Sequence, residues 1–144
     1  MKRVEMEIQK VEKVILFISK DGQKFTSEDA CRKWEESYEG TLCAAFNKIP
    51  RIDTNGYDAY VQCGQSDDIV YILRPRNFED IMTLNAYGKM ISGCEPNLTQ
   101  DDIGEVLIIN VGYDYTWFDV YNMKKYIEEI KNTYDGFIKK LNSK

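Results

Sequence analysis

The sequence contains no histidine, and this absence excludes many kinds of active site. Ser-His-Asp hydrolases, Cys-His proteases, histidine proton shuttles and zinc fingers with histidine ligands all need an imidazole, so their usual forms are ruled out. Cysteine is also sparse, and no two of the four cysteines have C-x-x-C spacing. We therefore predict reduced thiols and no cofactor. A zinc site built from all four scattered cysteines is the alternative.

The chain also lacks a long apolar run and an excess of positive charge. No stretch approaches the roughly 20 apolar residues of a membrane span, and acidic and amide residues interrupt the N-terminal segment, unlike a signal peptide. The formal net charge is -5 and the isoelectric point is near 4.9. This charge argues against nucleic acid as a partner, because such affinity comes mainly from Lys and Arg on phosphates. We expect a cytoplasmic protein without membrane contact.

What is present is enough for one folded domain. Hydrophobic residues make up 43% of the 144 residues, which excludes a disordered chain. A chain of this length buries a core large enough for independent folding. We predict a single globular domain over residues 1–144.

The stretch from 105 to 141 dominates the predicted fold. A continuous apolar run from 106 to 111 is typical of a buried strand. Thr116 and Asp119 then form a capping pattern that predicts the start of a long helix. Its apolar side chains recur at alternating steps of three and four: Val120, Met123, Ile127, Ile130, Tyr134, Phe137 and Leu141.

We expect this stripe to pack on the protein's own sheet, as part of the core. A strict three-four repeat over about three heptads also fits a coiled coil. A homodimer through the C-terminal helix is therefore the alternative.

The first third of the chain reads as strands followed by helices. Alternation from Val4 to Ile8 and the apolar run 14–18 predict either two strands or one bent strand. Asp21-Gly22 supplies a turn. A capped helix then follows, with Cys31, Trp34 and Tyr38 on one face and an end near Gly40.

The middle third alternates strand and helix signals. Asn55-Gly56 predicts a hairpin with a strand over 57–63, and residues 69–73 form a second apolar run. Asn77 caps the next helix, whose apolar side is predicted from Phe78, Ile81, Met82 and Ile91. Together these signals predict an α+β fold: a four- to six-stranded mixed or antiparallel sheet with helices mainly on one face. A three-layer α/β fold is the alternative.

The segment from residue 21 to residue 35 combines a turn with a capped helix. It consists of a strand end, an Asp-Gly turn, a phenylalanine, a helix cap and a Cys-x-x-aromatic-Glu pattern, formed by Asp21, Gly22, Phe25, Glu28, Cys31, Trp34 and Glu35. This segment resembles one found in small uncharacterised phage and prophage proteins, with Trp34 where tyrosine is expected. The resemblance implies a mobile-element accessory gene and a host-cell cytoplasm, and it carries over no functional residues.

Two segments are candidates for binding. The segment 112–121 is the densest in aromatic residues, and aromatic residues with a polar group favour interfaces. We predict a partner-binding surface from Tyr113, Asp114, Tyr115 and Tyr121. Arg74 and Arg76 precede a helix N-terminus and are a candidate anion-binding pair.

A third candidate is a group of carboxylates around the last strand. Its members are Asp101, Asp102, Glu105, Asp114 and Asp119. If they converged in space they would suit Mg²⁺ or acid-base catalysis, whereas solvated caps and loops are the simpler interpretation. We predict no metal site.

These observations favour a non-enzymatic protein. Our first hypothesis is a phage or mobile-element accessory protein that binds, and inhibits, a host protein. The second is a binder of a small, nucleotide-like molecule through the aromatic segment and the two arginines. The third is a carboxylate- or metal-dependent enzyme, which needs two of the acids close together.

Overall fold

The computed structural model describes residues 1–8, 12–55, 69–112 and 116–143. Its chain divides into two compact units, Met1–Lys48 and Ile49–Lys144. The single domain over the whole chain stays a prediction. The described helices include none that is both long and apolar enough to cross a membrane.

The first unit contains a three-stranded antiparallel sheet and two helices. The sheet order is β1-β2-β3, and β1 pairs with β2 from Lys2 opposite Ile18 to Ile8 opposite Glu12. The two apolar stretches at the start of the chain are therefore two strands. The elements are β1 (Lys2–Ile8), β2 (Glu12–Ile18), β3 (Lys24–Phe25), α1 (Glu28–Glu36) and α2 (Tyr38–Lys48).

The predicted turn and helix cap are confirmed. Gly22 adopts a φ of 92°, a left-handed conformation that glycine adopts without steric cost. The Ser27 side chain accepts a hydrogen bond from the Ala30 N–H and caps α1. The Trp34 indole donates to Asp21 at 2.9 Å and ties the helix to the turn.

The first helix does not end near Gly40 as predicted. α1 ends at Glu36, and Gly40 lies inside α2, where a Cβ would overlap the Trp34 carbonyl oxygen. Gly40 is thus needed for close approach of the two helices rather than for a helix end. Tyr38 begins α2 and is exposed, so the face predicted from Cys31, Trp34 and Tyr38 is wrong at its last member.

Among the described residues, the second unit contains a further three-stranded antiparallel sheet with the order β4-β5-β6. The central strand β5 pairs with β4 on one side and β6 on the other, so Ile109 lies between Tyr71 and Val120. The elements are β4 (Ile69–Leu73), α3 (Phe78–Ser92), a 3-10 helix (Gln100–Asp102), β5 (Leu107–Val111), β6 (Phe118–Asn122) and α4 (Met123–Asn142).

Helix α3 packs on this sheet through a face that was only partly predicted. The Asn77 side chain accepts from the Asp80 N–H at 2.9 Å, which confirms the cap. The buried residues of α3 include Ile81, Leu84 and Tyr87. The rings of Tyr87 and Phe118 in β6 pack edge to face, with their centroids 5.8 Å apart. The predicted members Phe78 and Met82 are exposed, because the buried face runs through 81, 84 and 87.

The α+β class is confirmed, whereas the described strands form two three-stranded sheets and do not match the predicted single sheet of four to six strands. Each sheet joins strands that follow one another along the chain and pair antiparallel. The described strands include no parallel pair, which a three-layer α/β fold would need. Gly56 and the predicted strand 57–63 lie outside the described residues, so the hairpin stays a prediction.

The C-terminal helix begins six residues later than predicted, with its cap at Asn122 and not at Thr116. Residues 118–122 form β6, with Phe118 opposite Val111, and are therefore not helical. Pairing with β5 overrides the local capping pattern of Thr116 and Asp119, since aromatic and β-branched residues also suit a strand. The helix is capped instead by Asn122, whose side chain accepts from the Lys125 N–H at 3.1 Å.

Candidate interaction site

The apolar side of α4 is exposed to solvent. None of the helix's residues is buried, and every residue from 127 to 143 is exposed. Tyr134 is 65% exposed and Leu141 is 60% exposed. The prediction that this stripe belongs to the core is therefore wrong. We call the exposed set the α4 face: Ile127, Ile130, Tyr134, Phe137, Ile138 and Leu141.

Among the described residues, the contacts between α4 and the rest of the second unit involve the first turns of the helix. The Met123 N–H donates to the Val106 carbonyl at 2.9 Å. The rings of Tyr121 and Tyr126 lie 5.6 Å apart, so β6 and the helix also meet through aromatic side chains. These contacts fix where the helix starts, whereas its later turns are exposed to solvent.

Charged residues occupy the other sides of α4. The lysines outnumber the acids on this helix, although the chain as a whole is acidic. An apolar stripe flanked by charge is the pattern of an amphipathic helix that binds another apolar surface. The charged residues are Lys124, Lys125, Glu128, Glu129, Lys131, Asp135, Lys139 and Lys140.

A cavity of about 390 Å³ lies at the base of α4. Arg74 and Lys124 contribute two positive charges to its lining, and Glu105 contributes one negative charge. Val106, Met123 and Ile127 supply its apolar wall. Ile127 therefore belongs both to the α4 face and to the cavity.

Arg74 and Arg76, predicted as a pair, have different surroundings. The Arg76 guanidinium binds both carboxylate oxygens of Asp80, at 2.9 and 3.1 Å. Hydrogen bonds from Arg76 lower the pKa of the Asp80 carboxyl, and the same contact raises the pKa of Arg76. Arg76 thus already has an anionic partner, while Arg74 lines the cavity. Anion binding stays a prediction.

The predicted aromatic surface is described only at its edges. Tyr113, Asp114 and Tyr115 lie outside the described residues, and Tyr121 is half-buried in β6. Trp117 lies against the backbone of Gly112, where a Cβ would meet the indole ring at 2.7 Å. Gly112 is therefore required for this close approach.

The acids near the last strand serve as caps in part. Asp102 accepts from the Thr99 N–H at 2.8 Å and completes a capping box on the 3-10 helix. Across the described residues, no three Cys, Asp or Glu side chains form a group able to hold a metal ion.

The described cysteines form no disulfide. Cys31 is buried, Cys43 is half-buried and Cys94 is exposed. Burial raises the pKa of the Cys31 and Cys43 thiols, which keeps them protonated and unreactive. Cys63 lies outside the described residues.

No family model, curated protein or solved structure matches this chain.

Sequence reasoning found the stripe of α4 but missed its exposure. The strict three-four repeat was the available signal, because a seam of that kind suits a partner helix better than a broad sheet contact. It also missed that Lys124 and Arg74 are neighbours, because the two residues line one cavity only after the chain has folded. It did not include Ile138, which lies just outside the repeat.

Proposed function

We propose that this chain is a non-enzymatic protein-interaction protein in which α4 is the contact element. The exposed α4 face is the observation that supports it. Six large apolar side chains on one helix present on the order of 500 Å² of apolar surface, about the largest patch that soluble monomers leave exposed without a partner. A polar surface at these positions would fold equally well, so the apolar residues favour binding.

We also propose that the chain binds a host protein, through a surface other than the α4 face. The resemblance of residues 21–35 to phage accessory proteins supports a bacterial host. The surface we propose for this partner is the predicted one, formed by Tyr113, Asp114, Tyr115 and Tyr121. Tyrosine is enriched among residues that dominate binding energy.

Affinity capture from a bacterial lysate with quantitative mass spectrometry tests this function. We expect one or a few proteins to be retained by the unaltered chain. Tyr113→Ala should weaken their capture about tenfold, the factor that about 1.4 kcal/mol represents. The double substitution Ile130→Asp/Phe137→Asp tests the α4 face in the same way.

The matched control is Asn132→Asp, which adds a negative charge on the side of α4 opposite the face. Circular dichroism and the melting temperature of each variant separate binding from folding. A monomeric chain that captures the same proteins with the tyrosine surface and the α4 face both altered would contradict the proposed function.

A second candidate is binding of a small anion such as a nucleotide. The cavity at the base of α4 favours it, because Arg74 and Lys124 lie in its lining. Isothermal titration with ATP is the test: Arg74→Ala and Lys124→Ala should each weaken binding, and Lys125→Ala is the control on the same turn. An unaltered chain that gives no heat with ATP excludes this candidate.

A further inference from the structure

We infer that the α4 face binds a second copy of the chain, forming a parallel two-stranded coiled coil. This inference rests on the proposed function, because it names the protein that the face contacts. It leaves the predicted tyrosine surface to the host protein.

The spacing of the apolar residues favours a helical partner. From Met123 to Leu141 the steps are four, three, four, three and four, a repeat of seven residues without interruption. A straight helix drifts by about 20° per heptad against such a repeat, and two helices keep the seam in contact by coiling around each other. A helix that packs on a sheet needs a broader stripe with a period of 3.6.

The repeat assigns each residue a heptad position. Ile127, Tyr134 and Leu141 take position a, and Met123, Ile130 and Phe137 take position d. Ile138 then takes position e, beside the seam, where partner helices also bury part of their side chains. The seam accounts for five members of the α4 face, and Ile138 lies directly beside it.

The charges beside the seam select the orientation. In a parallel pair, Tyr126 at position g faces Lys131 of the second copy, and Thr133 faces Ile138, so neither pair opposes like charges. In an antiparallel pair with full overlap, the two Lys131 residues would face each other. The acids Glu128, Glu129 and Asp135 lie at positions b and c, away from the contact.

The available area also fits. Each copy exposes on the order of 500 Å² on this face, so pairing removes on the order of 1,000 Å² from water, the lower limit for a specific interface. The repeat from Met123 to Leu141 is shorter than three full heptads, so the dimer should dissociate at low protein concentration.

Sedimentation equilibrium of the full chain tests the inference. Between about 2 and about 200 μM, a range that spans a Kd in the micromolar region, we expect a reversible monomer–dimer equilibrium. Ile130→Asp and, as a milder variant, Phe137→Ser should weaken dimerisation at least about 30-fold, the effect of truncating a residue that dominates an interface. Asn132→Asp adds the same charge as Ile130→Asp at position f and should leave the equilibrium unchanged.

The orientation is tested by cross-linking. Leu141→Cys in a Cys94→Ser background should form an intermolecular disulfide, because the two a positions meet in a parallel pair. In an antiparallel pair with full overlap the same positions would be about 27 Å apart, from a rise of 1.5 Å per residue. Cys94→Ser alone is the control.

The outcomes separate this inference from the proposed function. A folded chain that remains monomeric at the highest concentration overturns the second copy as partner, and capture from the lysate then decides the proposed function independently. A dimer that survives Ile130→Asp and Phe137→Ser, or that forms no disulfide through position 141, also overturns the inference. A dimer lost in both variants and linked through position 141 supports it.

Discussion

Strand β5 and helix α4 belong to the same unit, yet their apolar side chains have opposite environments. In β5, Leu107, Ile108, Ile109 and Val111 are each at most 1% exposed. In α4, no residue is buried, and the α4 face is 38% to 65% exposed. Both segments look equally suited to a core when only their apolar residues are counted.

The difference lies in how many sides of each element are apolar. Successive side chains of β5 point to opposite faces, so a continuous apolar run needs cover on both and can only lie inside the fold. The stripe of α4 occupies one side, and a single covering surface satisfies it. That surface need not come from the same unit. A one-sided pattern therefore predicts that a face is covered, not what covers it.

The largest effect should come from placing a charge in β5. Ile109→Asp buries an unpaired carboxylate at a position that is 0% exposed, which should cost several kcal/mol and unfold a domain of ordinary stability. Ile130→Asp in α4, measured at a concentration where the chain is monomeric, should keep a melting temperature near that of the unaltered chain. Thermal unfolding followed by circular dichroism compares the two.

Ile109→Val is the control for β5, and it should cost only about 0.5 to 1.5 kcal/mol. The contrast between the two regions would be refuted by a folded Ile109→Asp, or by an Ile130→Asp monomer that unfolds as readily as Ile109→Asp.

Local signals in the sequence predicted much of the fold. The caps of α1 and α3, the turn at Gly22 and the strand at 69–73 all depend on neighbouring residues, and the structure confirms them. Residues 118–122 were misassigned because their pairing with β5 is not visible in the local pattern, which also fits a helix start. Division into two sheets likewise depends on which strands meet.

The candidate site was less predictable than the fold. Its stripe is periodic and was found, whereas its exposure depends on the absence of cover, which no local pattern records. Arg74 and Lys124 are fifty positions apart and share a cavity only because β4 and the start of α4 are brought together. Neither fact follows from residue spacing.

The second-largest effect is expected at the start of α3. Hydrogen bonds anchor the start of α3 far more firmly than the start of α4. Asp80 is 5% exposed and accepts hydrogen bonds from the Arg76 backbone and guanidinium. Asp80→Asn should cost about 1 to 3 kcal/mol, the penalty for disrupting a buried hydrogen-bonded group. Glu79→Gln removes the same charge at an exposed neighbour and should have little effect. Denaturant unfolding at neutral pH compares the two variants.

The same pair predicts a pH dependence. The folded-state pKa of Asp80 lies below its unfolded value, so its contribution is fully present above the unfolded pKa. That contribution disappears as the pH falls through the folded pKa. The stability difference between the unaltered chain and Asp80→Asn should therefore shrink on acidification below about pH 4, the usual region for Asp. A difference that is constant down to pH 2 would show that the ion pair contributes nothing.

A smaller effect is expected at the cap of α4. Asn122→Ala removes the side chain that accepts from the Lys125 N–H, and loss of such a cap costs about 0.5 to 2 kcal/mol. Because every residue from 127 to 143 is exposed, the loss should appear as fraying of this helix rather than as global unfolding. Hydrogen exchange should accelerate in 123–130 and stay unchanged in β5. Asn122→Asp, which keeps an acceptor, is the control.

The smallest effect is a gain, at the glycine within α4. Gly136 lies in an exposed turn with nothing within 4 Å of the position a Cβ would occupy, so Gly136→Ala meets no steric barrier. It should stabilise the helix by at most about 1 kcal/mol, because glycine is the poorer helix former. Gly136 takes heptad position c, outside the seam, so the substitution adds no contact to a second copy. Slower hydrogen exchange over 130–142 is the expected result. Gly40→Ala is the control with the opposite expectation, because its Cβ would overlap the Trp34 carbonyl and destabilise the first unit.

If Gly136→Ala slows exchange at low concentration and also tightens dimerisation, the helix and the coiled coil form together. If Gly136→Ala leaves hydrogen exchange unchanged, the helix is already held by contacts on the side of Gly136. The contrast between an exposed α4 and a buried β5 would then not hold for this side of the helix.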